Sequence, residues 1–443
     1  MKNKLIGTVI LLFVTSNFLA QNSFTIKESL DYALKNNAKI KNAILGMENA
    51  RQKVKETTAI GLPQVSGEVN YQDFIDLPTT VASAQAFNPM APADQIVELQ
   101  FGTKYNATAS VTATQLLFSG SYLVGLQTAR KYKIVSEYQK QKSEEEVKEG
   151  VLKAYYGVLV SKKTIVTLTE IVKTTQKIFD DTKKVQQAGL IEKSSVDQLS
   201  LSVLTTKNAL KSAERQLILA KNYLKMEMDY PMESEINVTT DFDNVISELN
   251  SKEENTNVNF SQNIDFLLLS QQKELGMLNV KYQKSLLLPT LAAFYTHQQS
   301  AYRNEFNFFK DKPWYASNIW GVKLSIPIWS SLQSRALINQ SKIGLKQTEN
   351  SLSQLEKGLK IQLISAQTNY DNAFDLLEVS KQTLAITKGI YATNQIKFKE
   401  GMISSLALSQ VQTQYLSAET QYIRSMYGLI TAKVELDKIS GKL

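Results

Sequence analysis

The sequence predicts a mainly α-helical chain with a minor share of membrane β-structure, built as two copies of one unit. Three observations predict it. First, Val185-Gln186-Gln187-Ala188-Gly189-Leu190-Ile191, followed by Ser194 and Ser195, is matched by Lys397-Phe398-Lys399-Glu400-Gly401-Met402-Ile403, followed by Ser404 and Ser405. In each, a helical run stops at Gly, an apolar pair follows and a second run begins near Ser. Gly adopts the left-handed turn that ends helices, and Ser accepts from the free N–H groups that start them. Second, the eight prolines avoid two long tracts, from Gly120 to Tyr230 and from Ile328 to Leu443. Third, the segments between these tracts alternate apolar and polar residues at the period of a strand.

The elements follow in order. Residues 1–20 have the pattern of a secretory signal: a basic start at Lys2 and Lys4, an apolar core from Leu5 to Val14, and a cleavage region ending at Ala20. No Cys lies near that site, so a lipid-modified N-terminus is not expected. Residues 21–235 form the first repeat. A helix from about Asn37 to Gly61 ends at Leu62-Pro63, where Pro cannot continue it. Strands follow at about 64–76 and 100–114, and then a helical hairpin at about 121–228 with its tip at 188–195. Apolar residues recur at helical spacing through Val147, Val151, Leu152, Tyr155, Val158, Leu159 and Ile165, which suits coiled-coil packing. Its outward arm, Ser121 to Gln187, would be roughly 100 Å long at 1.5 Å per residue.

Residues 236–263 break the helical period and read as a linker lying as a belt around the middle of the helices. The second repeat, 264–443, begins with a helix from Ile264 to Leu287 that ends at Leu288-Pro289. Strands follow at about 290–302 and 318–328, with a hairpin at about 333–439 and its tip at 400–405. Aligning Gly189 with Gly401 also aligns Leu204 with Leu416, Leu217 with Leu429 and Ala220 with Ala432.

The strands carry the membrane argument. Val65, Gly67, Val69 and Tyr71 alternate with Ser66, Glu68, Asn70 and Gln72. Trp320, Val322, Leu324 and Ile326 alternate with Gly321, Lys323 and Ser325. Each segment has about the 9–11 residues that a tilted strand needs to cross a bilayer. Around Thr290 to Gln298 the outer face is ambiguous, because Ala292 and Phe294 compete with Leu291 and Tyr295. Four strands cannot close a barrel, and an open edge is not tolerated in lipid, so several copies must pool their strands.

Composition narrows the function. With no Cys and one His, the usual thiol and imidazole metal sites and nucleophile–base pairs are nearly excluded. No metal, cofactor or catalytic residue is expected, and His297 reads as a structural side chain. The net charge of +8 falls to about +6 without Lys2 and Lys4, and its scatter along helices argues against nucleic acid.

The duplicated order of elements resembles the TolC-type outer-membrane factors, the outer membrane efflux protein family. It rests on the two Leu-Pro stops, the two tips, and Gln115-Leu116-Leu117-Phe118-Ser119-Gly120 with its counterpart Leu324-Ser325-Ile326-Pro327-Ile328-Trp329. The resemblance implies a homotrimer whose four strands per chain make a twelve-stranded barrel, continuous with a helical periplasmic tunnel. It implies a passive exit channel in the outer membrane, with no enzymatic activity. Its partners would be outer-membrane lipid, a periplasmic adaptor (membrane fusion protein) and an inner-membrane pump of RND or ABC type. Carried over by position, adaptor docking falls to Gly189, Leu190, Ile191, Gly401, Met402 and Ile403, with Ser194 and Ser405 expected as helix caps. The aperture region falls to Ser195, Asp197, Ile403, Leu406, Ala407 and Gln410. The family's acidic gate positions are Ala407, Gln410 and Ser195 here, and its Arg position is Ile403. Closure is therefore expected from apolar and hydroxyl packing near Ile403, Ser405 and Leu406. Two other readings compete. A periplasmic adaptor would show one hairpin flanked by small β-domains. An exported structural coiled coil would leave the strand pairs without a purpose.

Overall fold

A computed structural model describes residues 23–242, 245 and 260–443. The signal segment 1–20, residues 21–22, and residues 243–244 and 246–259 of the expected linker lie outside the described residues. The chain divides into two compact units. One comprises Met1–Gly46, Glu137–Leu268 and Leu352–Leu443, and the other Met47–Ser136 and Leu269–Ser351.

The first unit is helical. It opens with β1 (Ser23–Phe24) and α1 (Ile26–Asn36), the latter started by a capping box. Glu28 N–H donates to Thr25 Oγ1 at 3.3 Å, and Thr25 N–H donates to Glu28 Oε2 at 2.8 Å. Asn37 ends α1 and starts α2 (Ala38–Ala59): its Oδ1 accepts from Lys39 N–H at 2.8 Å, and its Nδ2 donates to the Glu227 carbonyl at 2.8 Å. The expected single helix from Asn37 thus misses α1, which precedes it. The long arms are α3 (Gly120–Gln187), α4 (Lys193–Met228), α6 (Gln333–Lys399) and α7 (Ser405–Ile439). β6 (Asn237–Val238), inside the segment expected to be an irregular linker, pairs in parallel with β1.

The core of this unit joins Val147, Val151, Tyr155, Val158 and Leu159 of α3 with Tyr370 and Leu377 of α6 and Met426, Leu429 and Ile430 of α7. The α3 members recur every three or four residues, so one stripe of the helix is buried. Tyr155 carries a polar tie into this core, its hydroxyl meeting the Phe24 carbonyl and Thr240 Oγ1, each at 2.8 Å. Charged neighbours sit at the edge of the core, where Glu149 holds Lys153 at 2.5 Å and Lys438 at 2.7 Å.

The second unit carries the β-structure, with the remaining parts of α2, α3 and α6, and α5 (Ile264–Ser285) from Leu269 onward. Its main sheet has the order β2 (Gln64–Asp73), β5 (Tyr105–Ser119), β7 (Thr290–Arg303), β8 (Tyr315–Ser325), and every pairing is antiparallel. β3 (Thr79–Ser83) and β4 (Ile96–Gln100) make a separate hairpin within the first strand connection. β5 runs five residues past the expected end at 114, because Gln115 to Ser119 stay paired to β7 across a bulge at Leu117. β8 begins and ends three residues earlier than expected, short of Pro327, which has no N–H to extend the ladder.

Register settles the ambiguous face. Tyr295 lies opposite Trp320, Ala293 opposite Val322 and Leu291 opposite Leu324, so these share the apolar side with Val65, Val69 and Tyr71. Phe294 lies opposite Gly321 on the polar side, with Ser66, Glu68 and Lys323. The missing side chain at Gly321 makes room for that ring, since a Cβ there would meet Phe294 at 2.9 Å. His297 falls on the apolar side and is satisfied across the strands by Asn318 Oδ1 at 2.7 Å. Among the described residues, β2 and β8 each pair on one side only in the single chain.

Candidate functional site at the twin tips

The two hairpin tips in the helical unit have the same backbone geometry. At the first, Gly189 N–H donates to the Gln186 carbonyl at 2.9 Å and Leu190 N–H to the Val185 carbonyl at 3.2 Å. At the second, Gly401 N–H donates to Phe398 at 3.0 Å and Met402 N–H to Lys397 at 2.8 Å. This nested pair of bonds is the Schellman motif, and it requires the left-handed conformation that both glycines adopt, at φ 79° and 71°.

The motif turns the next side chain outward. Leu190 is 76% exposed and Met402 is 72% exposed, so neither packs back on its own hairpin. The second apolar residue behaves differently. Ile403 packs against a small core of Ile178, Leu199, Tyr391 and Leu408, and Ile191 is half-buried. Each tip therefore presents one exposed apolar side chain held out by a fixed turn.

Two expected caps are corrected. Ser194 does not cap α4: the N-cap is Glu192, without a side-chain cap bond, and Ser194 Oγ donates to Glu192 Oε2 at 3.0 Å instead. Ser405 is the first helical residue of α7 and is only 5% exposed; the cap is Ser404, whose Oγ accepts from Ala407 N–H at 3.2 Å. Glu192 and Ser404 hold equivalent places behind the two glycines. The expected caps Ser194 and Ser405 are not equivalent positions: aligned on the two glycines, Ser404 matches Glu192 and Ser405 matches Lys193.

Of the aperture residues, Leu406, Gln410 and Asp197 are exposed, Ala407 and Ser195 are half-buried, and Ile403 and Ser405 are packed within the chain itself. Ile403 and Ser405 are thus taken up by the tip, and Leu406 is the apolar residue left facing outward. A groove of about 370 Å³ lies between the hairpins, lined by Ile178, Thr182, Val185, Ile191, Phe398 and Ile403, with Asp181 and Lys399 beside them. Sequence reasoning missed its floor, although Ile178, Thr182 and Val185 recur on α3 at a helix-face spacing.

Deeper in the same unit, polar side chains join the helices. Ser202 and Ser409 hydroxyls meet at 3.0 Å between α4 and α7, and Gln412 donates to Thr175 Oγ1 of α3. Tyr391 and Tyr415 stack with ring centroids 5.3 Å apart. Burial, reinforced by the Glu419 carboxylate, pushes the Tyr415 hydroxyl up to about 12. None of these groups forms a catalytic constellation. Among the described residues, no cluster of three or more His, Asp or Glu is placed to hold a metal.

A helical unit of paired long hairpins and a unit with a four-stranded antiparallel sheet, apolar on one face, are the parts of the TolC-like fold. The profile of the outer membrane efflux protein family matches residues 30–226 and 262–442, and the chain belongs to that family. Solved structures share the fold at low identity. CusC, in a study of transmembrane channel formation, matches at 14% identity with a TM-score of 0.74, over 94% of this chain and 92% of its own. The outer membrane channel CmeC of Campylobacter jejuni matches at 13% identity and 0.72, over 94% and 85%. The outer membrane protein VceC of Vibrio cholerae matches at 11% identity and 0.69, over 94% and 96%. No curated protein sequence matches the chain.

Proposed function

We propose that this chain is the outer-membrane exit channel of a tripartite efflux pump or a type I secretion system. Three copies would join the free edges of β2 and β8 into a twelve-stranded barrel, with the hairpins forming a periplasmic tunnel. An adaptor would dock at the tips, and an inner-membrane pump would supply the energy. The observation that carries this reading is the open four-stranded sheet with one apolar face. Its unpaired edges are untenable in lipid unless other strands cover them. Exposure of Leu190 and Met402 on rigid turns supports the docking assignment, since two small apolar anchors held at fixed positions suit a partner's helix ends. The aperture would close around Leu406, with Gln410 and Asp197 nearby, and without a ring of carboxylates at Ala407 and Gln410.

Chemical cross-linking in intact cells tests the docking assignment. A photo-reactive residue placed at 190 or 402 is expected to capture a periplasmic adaptor. One placed at exposed Lys207, away from the tips, is expected not to. Equal capture from both places would remove the tips as the docking site. For the aperture, Leu406→Ala is expected to raise single-channel conductance in planar bilayers, and unchanged conductance would reject the gate.

A further inference from the structure

The β7–β8 connection, residues 304–314, folds down against the sheet. The Phe306 ring meets Tyr71 and Tyr105 edge-on at 6.0 and 6.2 Å, and Phe308 meets Tyr71 at 5.8 Å. Register fixes the side on which this happens. Asp73 lies opposite Tyr105 and Tyr105 opposite Arg303, so Tyr71, Tyr105 and Arg303 share the face of Val65, Val69, Trp320 and Val322. The loop thus lies on the apolar outer face at the end of the strands remote from the helices. Arg303, itself buried, secures it: Nη2 donates to the Pro313 carbonyl at 2.9 Å, and Nη1 to the Tyr302 carbonyl at 2.9 Å. Among the described residues Arg303 Nε meets no acceptor, so a spare cationic donor stands at the base of the loop.

What the loop displays is amphipathic. Phe309 is 93% exposed, and Phe306 and Trp314 are exposed beside it. Lys310 and Lys312 are exposed and unpaired among the described residues, while the same loop carries the acids Glu305 and Asp311. Aromatic rings flanked by lysines, continuous with a lipid-facing strand surface, are the chemistry of a membrane–water boundary. Lysine stems lie along apolar surface while their heads reach phosphate.

We propose that this loop is a binding site for a phosphate-bearing lipid of the outer leaflet. Its acyl chains lie against Phe306, Phe309 and Trp314, and its phosphates are held by Lys310 and Lys312. The proposal rests on the reading that the apolar sheet face meets the bilayer. It goes further by assigning the lipid's headgroup chemistry to a particular loop.

The absence of cysteine makes the test direct. Phe309→Cys in the full chain accepts a single spin label, and the protein is reconstituted in phosphatidylcholine vesicles with or without lipid A. Broadening by oxygen, which partitions into lipid, is compared with broadening by a water-soluble nickel chelate. Oxygen is expected to dominate, and its excess is expected to grow when lipid A is present. Lys310→Glu with Lys312→Glu should abolish that growth while leaving oligomer migration unchanged. Dominance of the nickel chelate would make the loop an aqueous one and overturn the proposal. Exclusion of both agents would mean a protein cover, a second copy included, and would overturn it too. Indifference to lipid A would remove the phosphate assignment. Loss of the oligomer in the unmutated protein would instead count against the channel reading.

Discussion

Asp229 and Gly441 hold the same left-handed turn at the ends of the two return helices. Tyr230 N–H donates to the Lys225 carbonyl at 2.8 Å, and Lys442 N–H donates to the Asp437 carbonyl, also at 2.8 Å. Asp229 adopts φ 55° and Gly441 φ 70°. The offset between them is the offset between Gly189 and Gly401, so the duplication holds from the tips to the helix ends. It also identifies Asp229 as the strained member of the pair.

The first prediction concerns these turns. A side chain at a left-handed position costs about 1–2 kcal/mol, less for Asp than for most residues. Gly189→Ala and Gly401→Ala should each destabilise the helical unit by about 1 kcal/mol. Asp229→Gly should be neutral or slightly stabilising, the loss of a weak exposed contact between Lys41 and Asp229 at 4.0 Å being minor. Denaturant midpoints of the purified variants check this. A destabilised Asp229→Gly would show that the carboxylate matters more than the backbone strain.

The caps give a second. Ser404→Ala removes the acceptor for Ala407 N–H and should cost about 1 kcal/mol. Glu192→Ser places a hydroxyl at the equivalent position of the first tip, where no side chain caps the helix, and should stabilise α4 by about 0.5–1 kcal/mol. Hydrogen exchange at the first turns of α4 and α7 reads both effects locally. Faster exchange in α4 of Glu192→Ser would contradict the equivalence.

The third concerns pH. Burial and then Glu419 raise the Tyr415 hydroxyl from 10.0 to about 12, so the folded state favours the neutral phenol. Its contribution is fully present below 10.0, the unfolded value, and is lost as pH climbs toward 12. Thermal stability of the helical unit should fall across that window, and Tyr415→Phe should flatten part of the fall. Profiles that coincide would exclude Tyr415 as the cause. Glu149 acts at the other end. Burial raises its carboxyl, but hydrogen bonds from Lys153 and Lys438 outweigh this and hold it below 4.5. That contribution is present above 4.5 and should disappear on acidification.

A fourth lies in the sheet. Gly321→Ala would force the Phe294 ring off its seat, whereas Gly67→Ala, with only the Ser110 carbonyl at 3.9 Å, would be accommodated. Only the first should reduce the yield of heat-resistant oligomer on gels. Equal yields would mean that the ring moves freely.

Much of this organisation was legible in the chain. Gly189 and Gly401 located both tips, because a left-handed turn leaves few alternatives to glycine. Leu62-Pro63 and Leu288-Pro289 located the strand starts. The caps were misplaced because Ser194 and Ser405 look like caps until the backbone shows which residue is extended. α1 was missed because it is short and its break at Asn37 depends on the distant Glu227 carbonyl. The true length of β5 depended on pairing with β7, a long-range partner that local propensity does not report. The groove between the tips joins residues far apart in sequence, and the helix-face spacing of Ile178, Thr182 and Val185 marks only its α3 side.

Disulfide trapping in the outer membrane shows whether copies pool strands through the edges of β2 and β8. Gly67→Cys on β2 is combined in turn with single cysteines along β8, and oxidised samples are run without reductant. At one register a dimer and then a covalent trimer are expected, with nothing larger. Monomer at every register, or a ladder continuing past three, would contradict that pooling.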